Sequence, residues 1–162
     1  MSRFISCALL VAMLLMDAAH AEPLAPGGAA FSRGDYNRAA QLLLPAAERG
    51  NSRAQGMIGF MYATGQGLPQ SYDAAAYWYR LSAEQGNTTA QYLLGLAYDK
   101  GQGVPADDVA AYKWLNLATA HAPKPLRENY AKLRNAVASK MSRGQIEAGQ
   151  WYALRWPADS PF

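Results

Sequence analysis

The chain has 162 residues, with 15 Lys plus Arg against 12 Asp plus Glu, for a formal net charge of +3. A balance that mild and dispersed does not by itself suggest nucleic-acid binding. The single cysteine excludes an intramolecular disulfide framework, and the length suits one domain with a continuous core.

The chain opens MSRFISCALLVAMLLMDAAHA, in which Arg3 supplies a positive start and Ile5 to Met16 an apolar run. Ala19-His20-Ala21 gives the small-x-small pattern of a cleavage site before Glu22. The run is short of the about 20 residues that span a bilayer, and Cys7 precedes the apolar core instead of closing it as a lipid-modified cysteine would. We therefore expect residues 1–21 to be a signal peptide cleaved after Ala21, and the mature protein to be periplasmic or secreted with no membrane span. Cleavage removes Arg3, Asp17, Cys7 and His20, which leaves no cysteine and one histidine, His121. Residues 22–30 read as a short linker.

From residue 31 the chain repeats itself with a period of 36. Residues 54–83 and 90–119 align without a gap at 12 identities in 30 positions. The pairs include Gly59/Gly95, Tyr62/Tyr98, Gly65/Gly101, Gly67/Gly103, Pro69/Pro105 and Trp78/Trp114. The same offset extends upstream, where Tyr36, Ala39, Ala40, Ala47, Glu48, Gly50 and Asn51 match Tyr72, Ala75, Ala76, Ala83, Glu84, Gly86 and Asn87. A fixed period of this size marks stacked supersecondary units. The chain divides into a half-unit (31–51), two full units (52–87 and 88–122), capping helices (123–156) and a tail (157–162).

Ala54, Ile58 and Tyr62 step by four, as do Ala90, Leu94 and Tyr98, which predicts a helix face in each unit. Ala74, Ala75, Trp78 and Leu81, with their partners 36 residues on, predict a second helix. Gly59 and Gly95 fall inside the first helix, where Gly costs about 1 kcal/mol against Ala. A cost accepted twice at one repeat position implies a partner helix too close for a Cβ. The fold class that follows is all-α, a solenoid of antiparallel helix pairs closed by small residues and wedged by Trp and Tyr. Tyr62, Tyr98, Trp78 and Trp114 are the expected wedges.

Gly-Gln-Gly-Leu/Val-Pro is the turn inside the pair. Gly65 and Gly101 suit the left-handed conformation that ends a helix, and Pro69 and Pro105 stop its continuation. Ser71 and Asp107 are placed to cap the next helix. A dinucleotide loop needs a preceding strand and a third Gly, but Gln70 and Ala106 stand there and helices precede both loops.

The pattern A-Q-x-x-x-G-x-x-Y-x-x-G-Q-G-L/V-P…A-A-x-x-W-x-x-L resembles the Sel-one-like repeat (SLR) family, kin of the tetratricopeptide repeats. The resemblance runs from about Phe31 to Trp156. It implies an α-solenoid that works by presenting a surface to a protein or peptide, with the first helix of each pair on the concave side. Two departures mark the ends of the array. Only Pro26 to Ser32 are available for the first leading helix, and Thr119-Ala120-His121-Ala122-Pro123 replaces the usual Ala-Glu-Gln-Gly-Asn junction.

The remaining segment supplies an end cap. Leu126, Tyr130, Leu133, Val137 and Met141 form one apolar helical stripe. Ser142-Arg143-Gly144-Gln145 reads as a capping box, flanked by Met141 and Ile146 as a hydrophobic staple. A repeat stack needs such a cap over its terminal face.

Catalysis finds little to work with. Without cysteine there is no thiol nucleophile and no Cys/His zinc site. His121 stands in the linker before the prolines, and Asp107-Asp108 fits a helix N-terminus. No cofactor or metal is implied. Cysteine-rich relatives that bind or hydrolyse β-lactams suggest a hydrolase, but their cysteines are missing here. Glycan or peptidoglycan binding by the plentiful Tyr and Trp is the stronger alternative. The basic run Lys124, Arg127, Lys132, Arg134, Lys140 and Arg143 reads as the solvated back of an amphipathic helix.

Subtracting core positions from the first helices leaves Arg53, Phe60 and Thr64 in one unit and Tyr92, Leu96, Asp99 and Lys100 in the next. Phe60, Tyr92 and Leu96 would form an apolar centre rimmed by charge, the mark of an interaction site. The expected function is a non-catalytic scaffold or adaptor, with capping helices or a second copy of the chain as the competing cover for those residues.

Overall fold

The fold comes from a computed structural model that describes residues 24–156. The expected signal peptide and the tail 157–162 fall outside the described residues. Within them the chain is a succession of eight helices: α1 (Ala25–Ser32), α2 (Tyr36–Glu48), α3 (Ser52–Thr64), α4 (Tyr72–Glu84), α5 (Thr88–Lys100), α6 (Asp108–His121), α7 (Lys124–Ala138) and α8 (Arg143–Leu154). Helices α1 and α2 form the half-unit, α3–α4 and α5–α6 the full units, and α7 and α8 the cap.

Each boundary has a local cause written at the repeat period. Asn51 and Asn87 cap α3 and α5, their side-chain oxygens accepting from the Ala54 and Ala90 amides at 2.9 and 2.8 Å. Ser71 and Asp107 cap α4 and α6 in the same way, as their positions predict. Helices α3 and α5 end on Gly65 and Gly101, whose φ of 70° and 65° is left-handed. The Ser142–Gln145 capping box opens α8.

The interior glycines show why the pairs close. A Cβ on Gly59 would stand 2.6 Å from the Tyr79 ring and 3.2 Å from the Ala75 carbonyl oxygen. A Cβ on Gly95 would stand 2.7 Å from Leu115 Cγ and 3.2 Å from the Ala111 carbonyl oxygen. Tyr79 and Leu115 are themselves one period apart, so the same contact is built twice.

Successive units are joined by two further repeated devices. The second turn glycine of each loop lies on the preceding unit: a Cβ on Gly67 would meet the Tyr36 carbonyl at 2.5 Å, and one on Gly103 would overlap that of Tyr72. Below, the Gln of each Ala-Gln pair reaches back, Gln55 donating to the Ala47 carbonyl at 3.1 Å and Gln91 to that of Ala83 at 3.2 Å. Each helix packs on the next as far as α7, and α8 returns to pack on α6. There Gly149 lets α8 approach so closely that a Cβ would be 2.8 Å from the Tyr112 ring.

Two boundaries differ from the sequence reading. Helix α1 begins at Ala25, inside the stretch read as linker, because Pro26 suits a first helical turn and Gly27 fits against Leu43. His121 is the last residue of α6 and not part of a linker; its Nδ1 donates to the Leu117 carbonyl at 3.0 Å.

The tryptophan pair needs a correction of its own. Trp78 and Trp114 are read from the period as equal wedges, but only Trp114 is core, at 6% exposure. Trp156, just past α8, meets the Trp114 ring edge-on with centroids 6.2 Å apart, and Lys113 Nζ lies 4.5 Å over the same ring. Trp78 is half-buried, packs against the core from its edge and meets its exposed neighbour Tyr77 at 5.3 Å. The physical reason is the cap: α8 returns onto α6, so Trp114 gains a covering ring that Trp78 of α4 does not have. Trp114 is therefore a buried structural residue and offers no surface to a partner. Tyr62 and Tyr98 are likewise half-buried and pack against the core from its edge.

Candidate functional site

The seven residues expected on the concave face separate into three environments. Phe60 and Tyr92 are core: they are 1% and 3% exposed, which corrects the reading that left both open to solvent. Phe60 meets Phe31 of α1 edge-on, with ring centroids 5.6 Å apart. Tyr92 stacks on Tyr130 of α7 at 4.4 Å and 13° between planes. Both had looked free of packing because their partners come from the two ends of the array, where the repeat offers no guide. Of the two covers weighed for these residues, the capping helix is the one present over Tyr92.

The charged rim is also partly consumed. Asp99 is ion-paired with Lys140, from the connection between α7 and α8, which reaches Asp108 as well at 3.3 Å. The hydrogen bond to Asp99 is the chief cause that raises the Lys140 ammonium above the ordinary lysine value. Arg53 is half-buried in the first turn of α3, and Lys100 is exposed at the end of α5.

Phe60, Thr64 and Leu96 do come together. With Ala63 they line a cleft of about 180 Å³ between α3, α4 and α5. Helix α4 contributes Tyr72, Ala75, Ala76 and Tyr79, α5 adds Leu93 and Ala97, and Gln102 of the following loop completes the wall. Thr64 is exposed at the mouth, its hydroxyl donating to the Phe60 carbonyl at 2.9 Å. Tyr79 is 4% exposed, and burial pushes its phenol far above the ordinary tyrosine value. No charged side chain lines the cleft.

Sequence reasoning missed the α4 wall. Tyr79 was signalled all the same, since it stands one period before Leu115 and faces the twin of Gly95. Phe31 carried no signal of its own, because nothing one period away resembles it.

The basic run on α7 and beyond is largely occupied with the protein itself. Arg127 donates to the Ala122 carbonyl, Lys132 pairs with Glu128, Arg134 donates to Asn116 and Asn135, and Arg143 pairs with Glu147. Among the described residues no three His, Cys, Asp or Glu side chains are grouped to hold a metal ion. No helix among them is long and apolar enough to cross a membrane.

The helix pairs, the 36-residue register and the inter-unit glutamines define a helical-repeat solenoid. Sel1 repeats match residues 27–51, 52–87 and 88–122, more than half of the chain, and the protein belongs to the Sel1 repeat family. Its fold is similar to that of c5321, a protective antigen present in uropathogenic Escherichia coli strains and displaying an SLR fold. That likeness has a TM-score of 0.72 at 28% identity and covers 80% of this chain and 28% of the antigen. A Sel1 repeat protein from Oxalobacter formigenes is similar at a TM-score of 0.58 and 34% identity, over 62% of this chain and 40% of that one. The chain thus spans less than half the length of either neighbour. No curated protein matches it significantly. Sel1-repeat solenoids commonly serve as protein-interaction scaffolds.

Proposed function

We propose that this chain is an exported, non-catalytic scaffold or adaptor that captures a protein or peptide partner on its concave face. The cleft carries the reading: Phe60, Thr64 and Leu96, drawn from two first helices, converge on an apolar recess in a fold of the interaction class. In this reading Lys100, exposed at the end of α5, and Arg53, half-buried at the start of α3, form the rim, while Tyr92 is core packed on Tyr130. Export rests on the amino-terminal pattern, and the division into signal (1–21), repeats (31–122), cap (123–156) and tail (157–162) belongs to the same proposal. No metal or cofactor is required.

A photo-reactive residue at position 64, irradiated in intact cells, tests this directly. Defined adducts from position 64, absent from a control at Tyr152 on α8, are the expected result. Mass spectrometry of the exported protein should show Glu22 as its first residue. Adducts at 152 alone would overturn the concave-face reading.

Cell-envelope glycan binding is the second reading, and one observation favours it. Trp151 and Tyr152 on α8 are 52% and 51% exposed, and Arg155 lies over the Trp151 ring at 4.7 Å. Glycan binding lost on Trp151→Ala would support it.

A further inference from the structure

The cleft invites comparison with its own counterparts, because the repeat places an equivalent junction on either side of it. Tyr36 and Phe60 stand one period before Tyr72 and Leu96, two residues of the cleft wall. At that first junction the Phe31 ring lies against both, 5.4 Å from Tyr36 and 5.6 Å from Phe60. Asp99 and Asp108 stand one period after Ala63 and Tyr72, and Lys140 clasps those two carboxylates at the third junction. The middle junction has neither plug. Alanine also stands at 97, where the first junction has the fully buried Met61.

We propose that the cleft between α3, α4 and α5 is a receptor for one uncharged aromatic side chain of the partner, seated where Phe31 is seated one unit earlier. This deepens the scaffold reading and rests on it. Size agrees, since an engineered apolar cavity of roughly 150 Å³ binds benzene and the cleft measures about 180 Å³. Charge agrees as well. With no charged side chain in the wall, a carboxylate or ammonium entering would lose hydration without gaining a partner. Tyr79 adds a polar preference from its place in the wall. Its phenol is a donor for a ring hydroxyl or for the carbonyl attached to the incoming residue.

The test uses the purified protein and small probes, so that it stands apart from partner capture. N-acetylphenylalanine amide and N-acetyltyrosine amide are titrated against methyl signals in nuclear magnetic resonance, with N-acetylglutamate amide as the charged control. Saturable shifts at Leu93, Leu96 and Ala97 with both aromatic probes, and none with the control, are expected. Ala97→Met places the first junction's residue in the cleft and should weaken binding about tenfold or more. If that variant does not fold, Leu96→Lys at the half-buried mouth gives the same reading. Tyr79→Phe should lower affinity more for the tyrosine probe than for the phenylalanine probe. Shifts confined to the Ala153 and Leu154 methyls beside Trp151 and Tyr152, equal binding of the charged probe, or unaltered binding by folded Ala97→Met would each overturn the proposal. Adducts from position 64 that no aromatic probe competes away would also sink it while leaving the scaffold intact. Specific probe binding with no adduct anywhere would support the receptor and remove the scaffold reading instead.

Discussion

The first and second inter-unit junctions use the same backbone plan and end in opposite states. In the first, α1 is only eight residues long, yet it brings Phe31, itself fully buried, against Tyr36 and Phe60. In the second, α3 is a full helix and supplies Ala63 and Thr64 at the corresponding surface, so the recess stays open. A repeat scaffold fixes where helices meet, since that depends on Gly59, Gly95 and the turn glycines. Whether a junction is sealed depends on one or two side chains that are free to vary from unit to unit. Stability and recognition are thereby assigned to different junctions of one structure.

The comparison breaks most visibly if the seal is removed. Phe31→Ala is expected to destabilise the protein by about 3–5 kcal/mol, the usual range for a buried phenylalanine, and Phe60→Ala by a similar amount. Leu96→Ala, half-buried at the open cleft, should cost distinctly less. Equal losses in urea melts would mean that the two junctions are packed alike and that the cleft is not open in solution. Gly95→Leu comes next. Overpacking against Leu115 and the Ala111 carbonyl should cost about 1–3 kcal/mol, and thermal melts by circular dichroism check it.

The division between what is shared and what varies also decides what could be read from the sequence. The two full pairs, the Ser71 and Asp107 caps and the tight glycines were legible because each is written twice at a spacing of 36. The capping box before α8 was legible as a local motif. Phe60 and Tyr92 were misplaced because one partner, Phe31, has no like residue one period away and the other, Tyr130, lies outside the repeats. No periodicity shows that a ring from α7 stacks on a ring from α5. Trp78 and Trp114 were read as equals for the same reason, since Trp156, which covers only Trp114, lies outside the repeats. Thr64 and Leu96, expected on the concave face, do line the cleft, but its α4 wall was invisible to a reading that treated second helices as core only.

Alkaline titration sharpens the comparison at the cleft wall and at the α5–α7 contact. Burial raises the phenols of Tyr79 and Tyr92 above the ordinary tyrosine value. A group whose folded pKa is raised lends stability below its unfolded pKa, near 10 for tyrosine, and withdraws it as pH climbs beyond. Stability should therefore fall above about pH 10. The phenolate absorbance of these two residues should appear only together with loss of helical circular dichroism. Tyr79→Phe and Tyr92→Phe should each remove part of that late amplitude. Ionisation of either residue at full helicity would show a wetter interior than the packing implies.

The smallest effect is expected at the third junction, where an ion pair does what a ring does at the first. Lys140 holds Asp99 and Asp108, but its side chain is 49% exposed and that of Asp108 37%, so water screens both contacts. Exposed pairs are worth about 0.2–1 kcal/mol, and Lys140→Ala should cost an amount in that range, shrinking as salt is added. The sign with pH follows from the raised lysine pKa. The contribution is complete at neutral pH and persists up to the ordinary lysine range. It disappears as pH rises through the still higher folded value. The difference in melting temperature between wild type and Lys140→Ala should therefore be flat across neutral pH and close only in strong alkali. A double-mutant cycle with Asp99→Asn isolates the pair from the loss of the lysine stem. A coupling well above 1 kcal/mol that salt does not weaken would make the third junction as firmly sealed as the first. The open middle junction would then be the only weak place in the array.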